Sequence, residues 1–266
     1  MFPDSKWEDS TFVAPQNPDY GVWSGAFGGW TAAHAVTSAL PLMTAEQVPV
    51  ALTVDFVKGV AAGEVRSKPQ IVSASKSTTF VNIATSQNAA LCASTSLIFS
   101  RRRDTDHHAL LQAPAAPMPH SVPQSEFTHP IATWIAQYEM RFVEGRLLQP
   151  NPHMRSLVWM RPQPARRWSW PVLAGFVDAN FPRIYFHYQE LSAIATVTMS
   201  AHFHLTAAEF DALGDDYLLV DASAALAHAG LYDQTVRIWS RSGALVATST
   251  QIAVFSVKSD TQTIAP

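Results

Sequence analysis

Two stretches of this chain carry one pattern. Residues 33–41 read AHAVTSALP and residues 174–182 read AGFVDANFP. Each is a run with helical apolar spacing, halted by a proline that cannot continue a helix. The spacing predicts helices over Gly28–Leu40 and Pro171–Phe181. Four runs rich in Val, Ile, Thr and Phe follow each helix. They span 49–58, 64–75, 78–87 and 90–100 in the first half, and 193–204, 217–228, 231–240 and 244–256 in the second. The last runs share letters as well as pattern, ALCASTSLIFS (90–100) beside ALVATSTQIAVFS (244–256). Two further strand-like runs, 138–144 and 155–161, precede the second helix. A duplicated unit of one helix plus an antiparallel meander restricts the fold to an α+β layer architecture, with a helix laid on one face of a sheet.

Between the halves lies a stretch with five prolines from 114 to 130, which reads as a linker. The expected organisation is an N-terminal unit over 1–105, a linker over 106–130 and a C-terminal unit over 131–266. His107 and His108, beside Asp104 and Asp106, offer metal-binding residue types. Fixed ligands need a rigid scaffold, so a solvated linker is the better reading, and no metal or other cofactor is expected. With 47% hydrophobic residues the chain can bury a large core. Its net charge of −3, with Arg101-Arg102-Arg103 as an isolated basic run, argues against a nucleic-acid partner. Cys92 stands alone and reads as a small core residue. The first residues, MFPDSKWEDSTF, hold no apolar leader, and no apolar run reaches ~18 residues. A cytoplasmic protein with no membrane span is expected. PVALTVDFV (49–57) and DQTVRIWS (233–240) carry apolar residues on both faces, which points to a homodimer or higher homo-oligomer.

Three short motifs add to the duplication. AFGGWTAAHAV (26–36), ATVTMSAHFH (195–204) and LVATSTQ (245–251) come in that order. They resemble, respectively, the Phe-Gly-Gly helix start, the Ala-Thr-x-x-x-Ser-x-x-Phe-His strand and the closing strand of acyl-CoA thioesterases of the thioesterase II type. That resemblance implies a double hotdog: two copies of a long helix wrapped by antiparallel sheet, joined into one continuous sheet. It also implies an acyl-CoA substrate. The family's water-activating trio falls on Asp178, Thr196 and Gln251. Thr198 stands where the family strand usually has an aspartate.

The residues themselves support the trio. Asp178 shares a helical stripe with Ala174 and Phe181, so it should face the sheet. A desolvated carboxylate has a raised pKa, as a general base requires. In 244–255 one strand face carries Leu245, Ala247, Ser249, Gln251, Ala253 and Phe255, an apolar stripe with a single amide. A buried amide without partners costs about 1–3 kcal/mol, so Gln251 needs one. Strand parity for Thr196 decides nothing. The duplication sharpens the assignment, because Asp178 aligns with Thr37, Gln251 with Leu97 and Thr196 approximately with Pro49. Gly28-Gly29 align near Ser169-Trp170. Each half keeps what the other lacks, as one composite site would require. First-turn N–H groups of a helix lack intrahelical partners, so Gly28 and Gly29 are candidates for an oxyanion hole worth about 3 kcal/mol per donor. Close helix packing is the competing use of these glycines.

The expected reaction is thioester hydrolysis by water held between Thr196 and Gln251 and deprotonated by Asp178. Direct carboxylate attack through an anhydride is an open variant. Two other classes remain at this point. One is a non-hydrolytic acyl-binding protein of the same fold. The other is a hotdog hydratase or dehydratase, which pairs its acid with a histidine; His34, His202 and His204 read as structural. Tryptophans 23, 30, 168, 170 and 239 are candidates for an acyl tunnel or for core. Arg101–Arg103, Arg166 and Arg167 are candidates for phosphate contacts or for solvated surface.

Overall fold

Both predicted meanders form, and they join. The computed structural model describes residues 1–151, 153–190 and 193–256. Its strands are β1 (Lys6–Glu8), β2 (Thr11–Pro15), β3 (Gly21–Val22), β4 (Gly25–Ala26), β5 (Gln47–Phe56), β6 (Glu64–Ala74), β7 (Thr78–Gln87), β8 (Ala90–Arg101), β9 (Tyr138–Glu144), β10 (Ser156–Pro162), β11 (Ile194–Phe203), β12 (Leu218–Ser223), β13 (Ala227–His228), β14 (Leu231–Ser240) and β15 (Leu245–Phe255). The helices are α1 (Gly28–Ala39), α2 (Trp170–Phe176) and α3 (Ala207–Ala212). One antiparallel sheet runs β1-β2-β6-β7-β8-β5-β11-β15-β14-β12-β10-β9, with β13 beside β14. Read outward from its centre, each half has the same order. The two-stranded edge β2–β1 balances β10–β9. Sequence reading found the second pair and missed the first, whose strands of three and five residues are too short to display a period.

The register at the centre makes the duplication a geometric fact. β5 and β11 pair with Val54 opposite Met199, Thr53 opposite Ser200 and Leu52 opposite Ala201. A two-fold axis through the Thr53–Ser200 pair exchanges Leu52 with Met199, both buried. β5 has a bulge between Pro49 and Ala51, and β11 has one between Thr196 and Thr198. The axis therefore exchanges Pro49 with Thr196. On the neighbouring strands Leu52 faces Leu97 and Met199 faces Gln251, so Leu97 and Gln251 are equivalent too.

The second helix is shorter than its periodicity suggests. After Phe176 the chain tightens into i→i−3 bonds, Asp178 N–H to Gly175 O and Ala179 N–H to Phe176 O. The Asn180 side chain then donates to Val177 O. Asp178 thus sits in the turn after α2, not on the helix. The helices touch by backbone: a Cβ at Gly29 would lie 2.2 Å from Gly175 O, and one at Gly175 would lie 2.8 Å from Gly29 O. Both helices share one hydrophobic core.

Part of the proline-rich stretch is packed rather than solvated. Trp159 Nε1 donates to Pro117 O at 2.8 Å and Arg141 Nη1 to Val122 O at 2.6 Å. Val122, Leu157, Trp159, Tyr217, Leu219 and Trp239 form a second apolar cluster there. His107 and His108 are exposed, and among the described residues no group of three or more His, Cys, Asp or Glu is placed to hold a metal. No helix among the described residues is long and apolar enough to cross a membrane.

Candidate active site

Asp178 is 7% exposed and lies where the turn after α2 meets the start of α1. Its Oδ1 accepts from Gln251 Nε2 at 2.9 Å, and the Gly29 backbone N–H also bonds its carboxylate. Both bonds favour the charged form. Burial opposes them and wins, pushing the pKa from 3.8 up to about 7. Gln251, on the inward face of β15, has found the partner its burial demanded. Its Oε1 accepts from Thr196 Oγ1 at 3.5 Å. That contact is at the outer limit of a hydrogen bond, and it leaves the hydroxyl able to turn to a third partner.

Thr196 reaches this place through the bulge. Beyond it Met199, Ala201 and Phe203 point into the core, all of them odd-numbered. The extra residue shifts parity, so Ile194 and Thr196 turn inward as well and line the cleft. Simple alternation misses this, because it groups Thr196 with Thr198, Ser200 and His202 on one mixed face.

The two glycines have different surroundings. No side chain caps α1, since its N-cap residue is Phe27, so first-turn N–H groups are left for other acceptors. The Gly29 N–H is taken by Asp178, and the missing Gly29 side chain makes room for Gly175 O. Gly28 lines the cleft, and a Cβ there would lie 2.7 Å from Asp178 Oδ2 and 3.2 Å from the Phe56 ring. Gly29→Ala is therefore expected to act mainly on folding, since neither backbone can yield, with a loss of at least about 3 kcal/mol in denaturant unfolding. Gly28→Ala is expected to stay folded and to lose activity at least tenfold, because the added methyl displaces the carboxylate. Melting temperature and kcat measured on both variants separate the two effects.

The cleft around Asp178 has a volume of about 280 Å³. Its wall is aromatic: Phe27 stacks on Trp134 with centroids 4.7 Å apart, and Trp134 meets Phe181 at 5.5 Å. At the lining's edge stand the exposed Trp23 and Lys58 and the half-buried His129. Of the tryptophans singled out from the sequence only Trp23 lines the cleft; Trp134, overlooked, does too. Trp30, Trp168 and Trp239 are buried core. Arg166 bonds Tyr20 OH and Arg167 bonds Asp211 O.

The symmetry-related position carries other residue types. There stand Thr37, whose hydroxyl bonds Ala33 O, with Leu97 and Pro49. Trp170 at the start of α2 stacks on Phe210 of α3 at 3.8 Å and meets Phe203 edge-on. Phe203 is the residue the axis exchanges with Phe56, which in the other half lines the open cleft. The sequence pattern did not reveal α3, a six-residue helix marked by the Thr206–Glu209 capping box.

Histidine does not meet Asp178. Among the described residues the one histidine lining the cleft is His129, whose Nδ1 accepts from the N–H groups of Ile131 and Ala132. His34 is bonded to Ser67 in the first-half core, and His202 and His204 are exposed.

Comparison with known proteins agrees with this fold. Residues 18–100 match the model of the acyl-CoA thioesterase N-terminal domain, and residues 110–255 match that of the C-terminal domain. A hot dog fold protein of unknown function from Alicyclobacillus acidocaldarius is 26% identical, with 96% of each chain covered and a TM-score of 0.89. The TesB protein of Mycobacterium avium subs paratuberculosis is similar in fold at 19% identity, with 96% of each chain covered and a TM-score of 0.75. Acyl-CoA thioesterase II TesB2 from Mycobacterium marinum, also 19% identical, covers 96% of this chain and 97% of its own at a TM-score of 0.72. No curated protein matches the chain. With both halves matched in order across one duplicated sheet, the chain belongs to the acyl-CoA thioesterase family and has its double hotdog fold.

Proposed function

We propose that the protein hydrolyses acyl-CoA thioesters to the free acid and coenzyme A, with Asp178 as general base. The observation that carries this reading is a desolvated carboxylate in an aromatic cleft, held by an amide and facing a helix start without a side-chain cap. A water between Asp178, Gln251 and Thr196 gives its proton to the carboxylate as its oxygen attacks the thioester carbon. The negative charge passes to the carbonyl oxygen, which the Gly28 N–H stabilises at the positive end of α1. Collapse of the tetrahedral intermediate breaks the C–S bond, and the proton on Asp178 passes to the departing thiolate. No redox step is involved.

The test is release of free thiol from a panel of acyl-CoA thioesters of graded length. Binding without turnover across the panel would favour the acyl-binding alternative. The base also sets the pH dependence. Asp178 must be ionised to act, and its folded pKa lies at about 7. The logarithm of kcat is expected to climb with unit slope below pH 7 and to level off above it. A profile flat from pH 5 to 8 would remove Asp178 as the base.

A further inference from the structure

The turn that carries Asp178 has a counterpart in the first half, and the two are built differently. Aligning 33–41 with 174–182 sets Phe176 against Ala35 and Asp178 against Thr37. From Ala35 the first half runs on as helix to Ala39, with Thr37 inside it. From Phe176 the second half leaves the helix for the tight turn. Past the shared proline stands Leu42 in the first half and Arg183 in the second. Arg183 is 1% exposed. Its Nε and Nη2 both donate to Phe181 O, at 3.0 and 2.5 Å. It also donates to Gln234 Oε1 on β14 at 3.1 Å, Ser156 Oγ on β10 at 2.8 Å and Ala222 O on β12 at 3.2 Å. The guanidinium therefore ties the end of the turn to the sheet. No carboxylate is among these acceptors, and burial lowers the pKa of Arg183 from 12.5 to about 9, so the fold holds this cation at a cost.

The first half shows that the architecture closes without that cost. Gln234 pairs with Gln251 across β14 and β15, and Val81 pairs with Leu97 across β7 and β8. The axis that exchanges Gln251 with Leu97 therefore exchanges Gln234 with Val81. Where Asp178 and Gln251 become Thr37 and Leu97, Arg183 and Gln234 become Leu42 and Val81, and the helix runs on. We infer that Arg183 is a positioning residue for Asp178: by holding Phe181 O to the sheet it stops α2 at Phe176 and keeps the carboxylate at Gln251 and the Gly29 N–H. This rests on the hydrolase reading above. In a helix continued as in α1, the Asp178 N–H would bond Ala174 O in place of Gly175 O. Helical residues turn by about 100° each and i→i−3 residues by about 120°, so the side chain would leave its present direction. The 2.9 Å bond from Gln251 does not survive such a change.

The experiment transfers the first half's solution to the second, as the double variant Arg183→Leu with Gln234→Val. Thiol release is measured on the best thioester of the graded-length panel, and thermal unfolding verifies the fold. The swap is expected to lower kcat about tenfold or more and to leave KM within about threefold, because the base is displaced while the aromatic wall remains. Added to Asp178→Asn, the same swap should lower the residual kcat by less than about threefold, since a positioning residue has nothing left to position. A merely structural arginine would cost the same factor in both backgrounds. If the swap does not fold, Arg183→Lys decides, read in the same two ways, since an ammonium keeps the charge but not the fork. A folded variant with kcat within about threefold of the parent, or an equal loss in both backgrounds, would overturn the inference and leave the hydrolase reading standing. No turnover of any thioester by the parent would overturn both.

Discussion

Asp178→Asn is expected to lower kcat about 10³-fold and, above pH 7, to raise the melting temperature. The first effect follows from removing the base, a role worth about 10²- to 10⁴-fold. The second follows from the cost of keeping a charge in a dry place. The folded pKa of about 7 lies above the unfolded value of 3.8. Between those values the native state holds a proton that the unfolded chain has lost. Stability attributable to this group therefore falls as pH rises through that window, and is fully regained only below about pH 4. The gap corresponds to roughly 4 kcal/mol at full ionisation. Asparagine keeps the shape and can still accept from Gly29 and bond a turned Gln251 amide, but has no charge to desolvate. The gap in melting temperature between variant and parent should widen by several degrees from pH 5 to pH 8. A variant that melts lower at every pH would show that the carboxylate is a structural anchor instead.

Gln251→Leu is expected to fold and to lose roughly 30- to 1000-fold in kcat, about 2 to 4 kcal/mol of transition-state stabilisation. The first half already contains this solution: the axis exchanges Gln251 with Leu97, which is fully buried in the same kind of position. Leucine fits such a place but leaves Asp178 Oδ1 and the water without the amide. In the proposed mechanism both residues serve one water, so the double variant with Asp178→Asn should lose less than the sum of the single losses. If Gln251 is only a structural amide, the variant will shift the melting temperature and leave kcat within about threefold. Kinetics and thermal unfolding on one preparation distinguish the outcomes.

The sequence by itself determined the duplication and the order of the two helix-plus-meander units, and it offered Asp178, Thr196 and Gln251 as candidates. These are local or comparative properties. A helical stripe ends at Pro41 and again near Pro182, an alternating strand carries one amide among apolar residues, and Leu97 answers Gln251 across the repeat. Tertiary structure alone decided how they meet. The bulge that turns Thr196 inward depends on pairing with β15, which no window of sequence contains. The end of α2 at Phe176, and hence the placement of Asp178 in a turn, depends on hydrogen bonds that compete with a helical pattern still running to Phe181. The division of labour between Gly28 and Gly29 exists only because α1 and α2 touch by backbone. Trp170 stacks on Phe210 at the start of α2 by a contact between residues far apart in the chain. Each of these depends on long-range packing, whereas periodicity reports only what neighbours along the chain prefer.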